Sequence, residues 1–516
     1  MLRNRLAKSE KTIFQSMTMD EYFYPKTLED LSLRRAAVVL CSCPNMYMFA
    51  ARMKDSNKEE FEPAIHKVTT DIVATISLPL MLEQDLLGAM KAVSREIIKW
   101  VKFHENFLEQ YDGVLSRLEN LEHICWTRLG TVDYEKTAQV LIRNKKLSAE
   151  QCYKLACLYC FCQDLKELWK EVPYSYKKVF FKDNPLQIAQ PRIVVFFTCL
   201  LRHRGYQVGL FLPEGQRDLS SIFEYMFEYV ALQGYGTATQ YFFHKLNVLD
   251  RLHIITRVAL GVAKRRSFDR GFYLHEYQKY SDVLRFLMSN MTISEQRELR
   301  RRAPFQTLKC LLDWPSHSEF LRHAKYILRF PLLSKEKYSR LLFILAHNSS
   351  SGFNYPRTFR IFFLMSPKKY KNYTLTHYSH FLREFIRIND VVTVKFIFRH
   401  LNVKEKVKLL VNQSMGRNFI PALVTAGKWD FLRLFIRESQ LANESKESLV
   451  AYFQLRFPED RRSEWFREFV REIRTDQSGA RYDRWASDCK RIFRRAVRKR
   501  RNEDHTEQPN KLLRAD

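Results

Sequence analysis

The chain has 516 residues, 46% hydrophobic and 28% charged, the balance of a protein with a core, which excludes a disordered or membrane-embedded chain. Only 14 residues are glycine, far below the usual share of about 7%. Folds that depend on tight turns, such as β-sandwiches and nucleotide-binding α/β sheets, lack their turn residue, and a helical protein is expected. The formal charge is +29; the 12 basic and 6 acidic residues from Arg481 onward supply +6, and +23 is spread over the body. An anionic partner is therefore electrostatically admissible, although a solvated helical surface accounts for the same excess.

The opening "MLRNRLAKSEKTIFQSMTMDEY" is interrupted by charges and has no apolar h-region of a secretory signal. The longest uncharged apolar run, Ala36 to Ala51, contains Pro44 and Asn45 and is too short to span a bilayer. An intracellular protein, cytoplasmic or nuclear, with its ten cysteines reduced, is the expectation. Residues 1–62 show no sustained period and read as an N-terminal extension with short helices. Residues 63–145 read as a helical capping region. In it Leu86, Leu87, Met90, Val93, Ile97, Ile98 and Val101 share one face of a helix over 82–101, and a second helix runs through Phe107, Leu108, Tyr111, Val114, Leu115, Leu118 and Leu121. Such an antiparallel pair closes the exposed end of a repeat array.

The stretch "QCYKLACLYCFCQ" (Gln151 to Gln163) holds four cysteines. On a helix over 149–162, Cys157, Cys160 and Cys162 point about 140°, 80° and 280° away from Cys152. Thiols spread around a helix cannot converge on one zinc ion, and no second C-x-x-C or H-x-x-x-H lies nearby to complete a set. With Leu155, Ala156, Leu158, Tyr159 and Phe161 between the cysteines, the stretch reads as an interior helix. Ser148 and Gln151 have the capping-box spacing at its start.

Residues 146–475 read as an extended solenoid of helix pairs. "QDLKELWKEVP", "SDVLRFLMSN", "SEFLRHAKYIL", "NDVVTVKFIFRHL" and "WDFLRLFIRE" each place an acid near a helix start, at Asp164, Asp282, Glu319, Asp390 and Asp430. The intervals of 118, 37, 71 and 40 residues fit three, one, two and one units of roughly 35 to 40 residues, the length of helix-pair repeats. Partner helices are expected at "LSAEQCYKLACLYC", "LSKEKYSRLLFILA" and "NVKEKVKLLVNQ". The segment "GRNFIPALVTAGKWDFLRLFIRE" (Gly416 to Glu438) resembles an ankyrin repeat, with Pro421 near the first helix, Gly427 in the turn, and Phe431, Leu432, Leu434, Phe435 and Ile436 in the second helix. "LSAEQCYKLACLYC" and "LKCLLDWPSHSEFL" are similar to a group of long helical ankyrin-like proteins with no assigned function. No unit has the T-P-L-H opening of ankyrin repeats. The resemblance implies stacked helix pairs and partner binding without chemistry.

"RRSEWFREFVREIR" (Arg461 to Arg474) reads as a C-terminal capping helix with Trp465, Phe466, Phe469, Val470 and Ile473 on one stripe, and "DQSGAR" after it as a linker. Residues 476–516 form a basic tail. Lys490, Arg491, Arg494, Arg495, Arg498, Lys499, Arg500 and Arg501 stand there beside a narrow stripe of Ile492, Phe493, Ala496 and Val497. A nuclear-import signal, an amphipathic helix for anionic membranes or nucleic acid, and a solvated end helix all fit this pattern. Two further segments interleave aromatics with lysines: "YSYKKVFFKD", with Lys177, Lys178 and Lys182, and "SPKKYKNYTLTHY", with Lys368, Lys369 and Lys371. Their rings can stack bases while the ammonium groups neutralise phosphate, or they can pack between repeats. No Walker loop, G-x-S-x-G or H-E-x-x-H occurs. The reading is a non-enzymatic scaffold without cofactor or metal that binds another protein along a groove. The alternative is a nucleic-acid-binding protein using the same basic surface.

Overall fold

With so little glycine, the chain has to fold through elements that close their own hydrogen bonds along the sequence. The computed structural model describes residues 28–475 apart from 54–55, 57, 77, 109–120, 183, 203–208, 212–218, 268–278, 314–316, 352–354, 378–380, 402–422, 424–426, 440–442 and 457–463. Among the described residues every regular element is a helix, and the only extended pairing is an isolated bridge between Trp126 and Val132. The protein is all-α. It divides into two units, Met1–Thr358 and Phe359–Asp516.

The first unit is organised around the helix Leu80–Leu108, 29 residues long, or about 43 Å at 1.5 Å per residue. Phe107 and Leu108, expected to begin a second helix, continue this one: no proline or glycine interrupts it after Val101, and Trp100, His104 and Phe107 keep helical spacing. The remainder of the expected second helix falls on 109–120, outside the described residues. Nor is Leu80–Leu108 a one-faced helix, because all seven residues from Ala92 to Ile98 are buried. Leu28–Cys41, Pro44–Met53 and Lys58–Val73 pack against it, and it also meets Ala149–Leu158 and Asn348–Ser351. Small side chains permit this close approach: Ser94 Oγ lies 3.1 Å from Met46 Sδ, and Cys41 Sγ is 3.6 Å from Met90 O. The boundary drawn at residue 62 falls inside Lys58–Val73, whose Glu62 pairs with Arg95 of the long helix.

The enclosed helix carries charge. Lys99 Nζ donates to Glu96 Oε1 at 2.5 Å, and burial pushes the Glu96 carboxyl up while Lys99 pulls it down. Further along, Arg266 grips Asp313 with two hydrogen bonds of 2.9 Å, both side chains largely buried. His104 is fully buried; its Nδ1–H donates to Trp100 O at 2.7 Å, so Nε2 accepts from the Tyr159 hydroxyl at 2.5 Å.

The cysteine helix spans Ala149–Leu158, and the Ser148–Gln151 capping box forms with both of its hydrogen bonds. It stops short of the expected 162. Cys160 sits at φ 54°, with Cys160 N donating to Cys157 O and Phe161 N to Ala156 O, the two bonds of a Schellman cap. Lys145 and Asn389 hold the same left-handed position with the same pair of bonds, as do Gly234 and, with its 6→1 bond, Gly427. Three of these five caps therefore use a residue with a side chain where glycine is the ordinary choice.

Beyond the cysteine helix, Arg192–Leu201 is buried at every position from Ile193 to Cys199, and Tyr153 Oη meets Thr198 Oγ1 at 2.7 Å. Leu219–Gln233, Gly236–Lys245 and Val248–Ser267 follow, the last packing on Lys279–Ser289, Ile293–Arg302 and Pro304–Leu311. The second unit is held by phenylalanines. Phe359 meets Phe385 at 4.8 Å and Phe381 at 5.5 Å, and Phe398 stacks on Phe435 at 4.5 Å, joining Val391–Arg399 to Trp429–Ser439. Phe466, Phe469 and Ile473 of Glu464–Thr475 are buried.

The five acid-led phrases all open helices. Asp164 precedes Leu165–Glu171, and Asp390 caps Val391–Arg399 by accepting from Thr393 N at 2.9 Å. Asp282, Glu319 and Asp430 lie in the first turns of Lys279–Ser289, His317–Arg329 and Trp429–Ser439. Two expected partner helices are present as Ala149–Leu158 and Lys335–His347; the third falls on 402–422, outside the described residues. Gly427 turns at φ 65° before a helix that buries Phe431, Leu432, Leu434, Phe435 and Ile436.

Two outcomes follow for stability. Lys145→Gly removes a strained left-handed side chain on an exposed turn, and denaturant unfolding should show a gain of about 1 kcal/mol. Burial lowers the His104 pKa to about 4 from 6.5. The unfolded chain therefore takes up this proton before the folded one, so the stability His104 contributes is complete above pH 6.5 and falls by about 3 kcal/mol as pH drops toward 4. Glu96, with its pKa raised, acts in the opposite direction. Unfolding midpoints of the parent and His104→Gln, compared between pH 7 and 4.5, should show a shallower loss in the variant.

Candidate functional site

Wherever one helix ends and the next begins two residues later, the last carbonyls of the first helix need donors. Three loops meet this need in the same way. In "LWKEVPYSYK", Lys177 Nζ donates to Lys170 O at 3.1 Å and lies 5.3 Å above the Trp169 ring. In "FFHKLNVLDR", Arg251 Nη2 donates to His244 O at 3.0 Å and its guanidinium lies 4.9 Å above Phe243. In "FFLMSPKKYK", Lys371 Nζ donates to Leu364 O at 2.9 Å and lies 5.4 Å above Phe363.

Each ring stands two residues before the end of its helix (Leu165–Glu171, Gly236–Lys245, Tyr355–Met365), and each cation is the fourth residue of the next (Tyr174–Lys177, Val248–Ser267, Lys368–His377). The cation complements the negative end of the helix dipole and satisfies a carbonyl, while the ring adds a cation–π contact. The rings are 74 and 120 residues apart along the chain.

Each lysine–aromatic segment singled out in the sequence supplies the cation of one of these loops, while the rings, Trp169 and Phe363, stand before the segments. Lys177 and Lys371 occupy the cation positions, and burial lowers the Lys371 pKa. Lys182 Nζ donates to Gln187 O at 3.0 Å, and Lys369 Nζ lies 5.3 Å from the centre of the Tyr370 ring. Lys368 is exposed at its helix start. Lys178 belongs to a surface row: its ammonium is 5.1 Å above Tyr174, Tyr174 is 6.0 Å from Phe181, and the Arg202 guanidinium is 4.4 Å above Phe181. Tyr174 and Phe181 remain 65% and 44% exposed, so the row sets two exposed rings between two cations, of which Arg202 also donates to Phe180 O. The tail residues Lys490 to Arg501 lie outside the described residues.

The cysteine cluster opens in different directions. Cys152 and Cys157 are buried, Cys160 is half-buried and Cys162 is exposed. Burial pushes the Cys152 thiol up to about 11 and the Cys157 and Cys160 thiols up as well, away from the thiolate form that binds metal or attacks an electrophile. Among the described residues no group of three or more His, Cys, Asp or Glu side chains is placed to hold a metal ion.

Sequence reasoning missed Arg251 and Arg202. The signal for Arg251 was present as an aromatic residue followed eight positions later by a basic one, across a helix break with proline or asparagine in its loop. Arg202 has no local signal, since its ring partner Phe181 comes from a different element. No protein-family model matches the chain, and no curated protein matches it.

Lys177→Met and Lys371→Met should each lower stability by about 1–2 kcal/mol, whereas Lys368→Met should stay within about 0.5 kcal/mol of the parent. Denaturant unfolding of the three variants separates lysines that hold the fold from lysines left for a partner.

Proposed function

We propose that the chain is a non-enzymatic scaffold, a solenoid of degenerate ankyrin-like helix pairs that holds another protein along its groove. The observation that carries this reading is the threefold capped loop. Its spacings of 74 and 120 residues correspond to two units of 37 and three of 40, within the roughly 35 to 40 residue range of helix-pair repeats. A loop of the same build recurring at multiples of a repeat length is what a stacked array needs at equivalent joints. The chemistry of the lysine–aromatic segments supports a protein partner over a nucleic acid, because two of their cations are directed at helix carbonyls of the chain itself. The scaffold works inside the cell, in cytoplasm or nucleus, and none of its described helices is long and apolar enough to cross a membrane. The basic residues from Lys490 to Arg501 serve as an address or an anion attachment outside the groove.

The second reading, nucleic-acid binding through the body, is favoured by one observation, the exposed row of Lys178, Tyr174, Phe181 and Arg202. Salt separates the two, since phosphate-driven binding weakens steeply with ionic strength and an apolar groove contact does not. The full chain and a version ending at Gly479 are titrated with generic RNA and duplex DNA across a salt series, and each is used to retain partners after nuclease treatment. The scaffold reading expects nucleic-acid binding to be absent or lost with the tail, and a protein partner to persist in high salt without nucleic acid. Steep, salt-dependent RNA or DNA binding by both forms, with no nuclease-resistant protein partner, overturns it.

A further inference from the structure

Arg192 opens the helix Arg192–Leu201, and every position from Ile193 to Cys199 behind it is buried. Arg192 itself is exposed. Its backbone N–H donates to the Tyr229 hydroxyl at 3.3 Å, and its guanidinium carbon lies 5.6 Å from the centre of the Tyr225 ring and 5.6 Å from that of Tyr229. The two tyrosines stand four residues apart on Leu219–Gln233, neighbours along one face of that helix. Their rings are nearly parallel, 14° apart with centres 6.5 Å from each other. Buried Phe211 extends the stack on Tyr225, at 5.9 Å and 12°, and both tyrosines are half-buried.

This arginine differs from the cations of the capped loops. Lys177, Arg251 and Lys371 each donate to a helix carbonyl. Among the described residues no carbonyl or carboxylate accepts from the Arg192 guanidinium, whose contacts are the two rings. It also stands at the opposite end of its helix. A cation in the first turn meets the positive end of the dipole, and Pro191 before it offers no side-chain cap. Attraction to two ring faces holds the cation there against the dipole. The result is a guanidinium positioned by two rings, exposed to solvent, with its hydrogen-bond donors unclaimed.

We propose that Arg192, held on Tyr225 and Tyr229, receives the carboxylate of an acidic side chain from a partner protein. The planar fork of a guanidinium matches a carboxylate through two parallel hydrogen bonds, and one positive charge balances one negative charge. A run of phosphates needs a row of cations, and the tyrosine helix instead carries Glu224 and Glu228, the second paired with Arg257 at 3.2 Å. A free small carboxylate would gain a single exposed ion pair, which is too weak to retain it. The acid therefore belongs to a larger contact, in which tyrosine and arginine are the residue types that anchor protein interfaces. The formal charge of +29 steers an acidic partner toward the chain. Once bound, the carboxylate also meets the positive helix end and removes the mismatch. This site names the chemistry of the scaffold's partner and rests on the scaffold reading for that partner being a protein.

The test is nuclear magnetic resonance of the full chain with ring-labelled tyrosine, the Tyr229 signal being assigned by its loss in Tyr229→Phe. The probes are the peptide Gly-Leu-Glu-Leu-Gly blocked at both ends, its counterpart with glutamine in place of glutamate, acetate and inorganic phosphate, all at one ionic strength set with chloride. The expected result is a saturable shift of Tyr229 with the glutamate peptide. Affinity should be at least about fivefold weaker for the glutamine peptide, and for the glutamate peptide against Arg192→Gln. Arg192→Lys, which keeps the charge and loses the fork, should fall between parent and Arg192→Gln, and it carries the comparison if Arg192→Gln alters the fold. Equal binding of the two peptides, or peptide binding unchanged in both variants, overturns the proposal. Acetate or phosphate binding more tightly than the glutamate peptide overturns it as well, by assigning the site to a free anion. A chain that binds the glutamate peptide through Arg192 yet retains no nuclease-resistant protein partner upholds the carboxylate site and removes the scaffold reading.

Discussion

Arg95 and Glu96 are consecutive residues in a stretch, Ala92 to Ile98, that is buried at every position, and consecutive positions point about 100° apart, so the two cannot neutralise each other. Each has to find its counter-charge elsewhere. Arg95 finds it in Glu62 of Lys58–Val73, and Glu96 in Lys99, one turn further along the same helix. Removing such charges from water costs several kcal/mol per ion, recovered only when geometry and hydrogen bonds are good. A well-packed apolar pair would hold the unit together as strongly. We read these pairs as fixing register: one placement of Lys58–Val73 on Leu80–Leu108 brings Glu62 to Arg95, and a slip of one turn strands a buried charge. Arg266 and Asp313 impose the same condition on Val248–Ser267 and the end of Pro304–Leu311.

The same economy governs the helix ends. A chain with 14 glycines cannot terminate every helix with one. Lys145, Cys160 and Asn389 adopt the left-handed conformation at three C-termini, and Lys177, Arg251 and Lys371 reach back from the following helix at three others. Part of the chain's basicity is therefore employed in closing helices. Exposed basic side chains remain beside that use, among them Lys178 above the exposed ring of Tyr174.

Helices and their starts were readable from the residues, because caps and acids act over three or four positions: the Ser148–Gln151 box and the Asp390 cap need no partner from elsewhere. The enclosure of Leu80–Leu108 was not. The apolar pattern gave that helix a single face and left Arg95, Glu96 and Lys99 outside it, and only counter-charges such as Glu62, 33 residues away, make their burial tolerable. Cys160 was read as helical because its left-handed turn is decided by Schellman hydrogen bonds and not by its side chain. At the candidate site, Lys177 and Lys371 were read together with the aromatics of their own segments, but the rings they cover in the loops, Trp169 and Phe363, stand before those segments. These contacts are made within the chain, across a helix break that no helical period crosses.

Amide hydrogen exchange on the full chain tests the central claim most directly, because protection follows the opening free energy of each element. If the charged helix is the enclosed axis of the first unit, the amides from Ala92 to His104 exchange slowest there and share one opening event with those of Lys58–Val73. Exchange of Ala92 to His104 as fast as that of the exposed turn Tyr174–Lys177 would contradict the account.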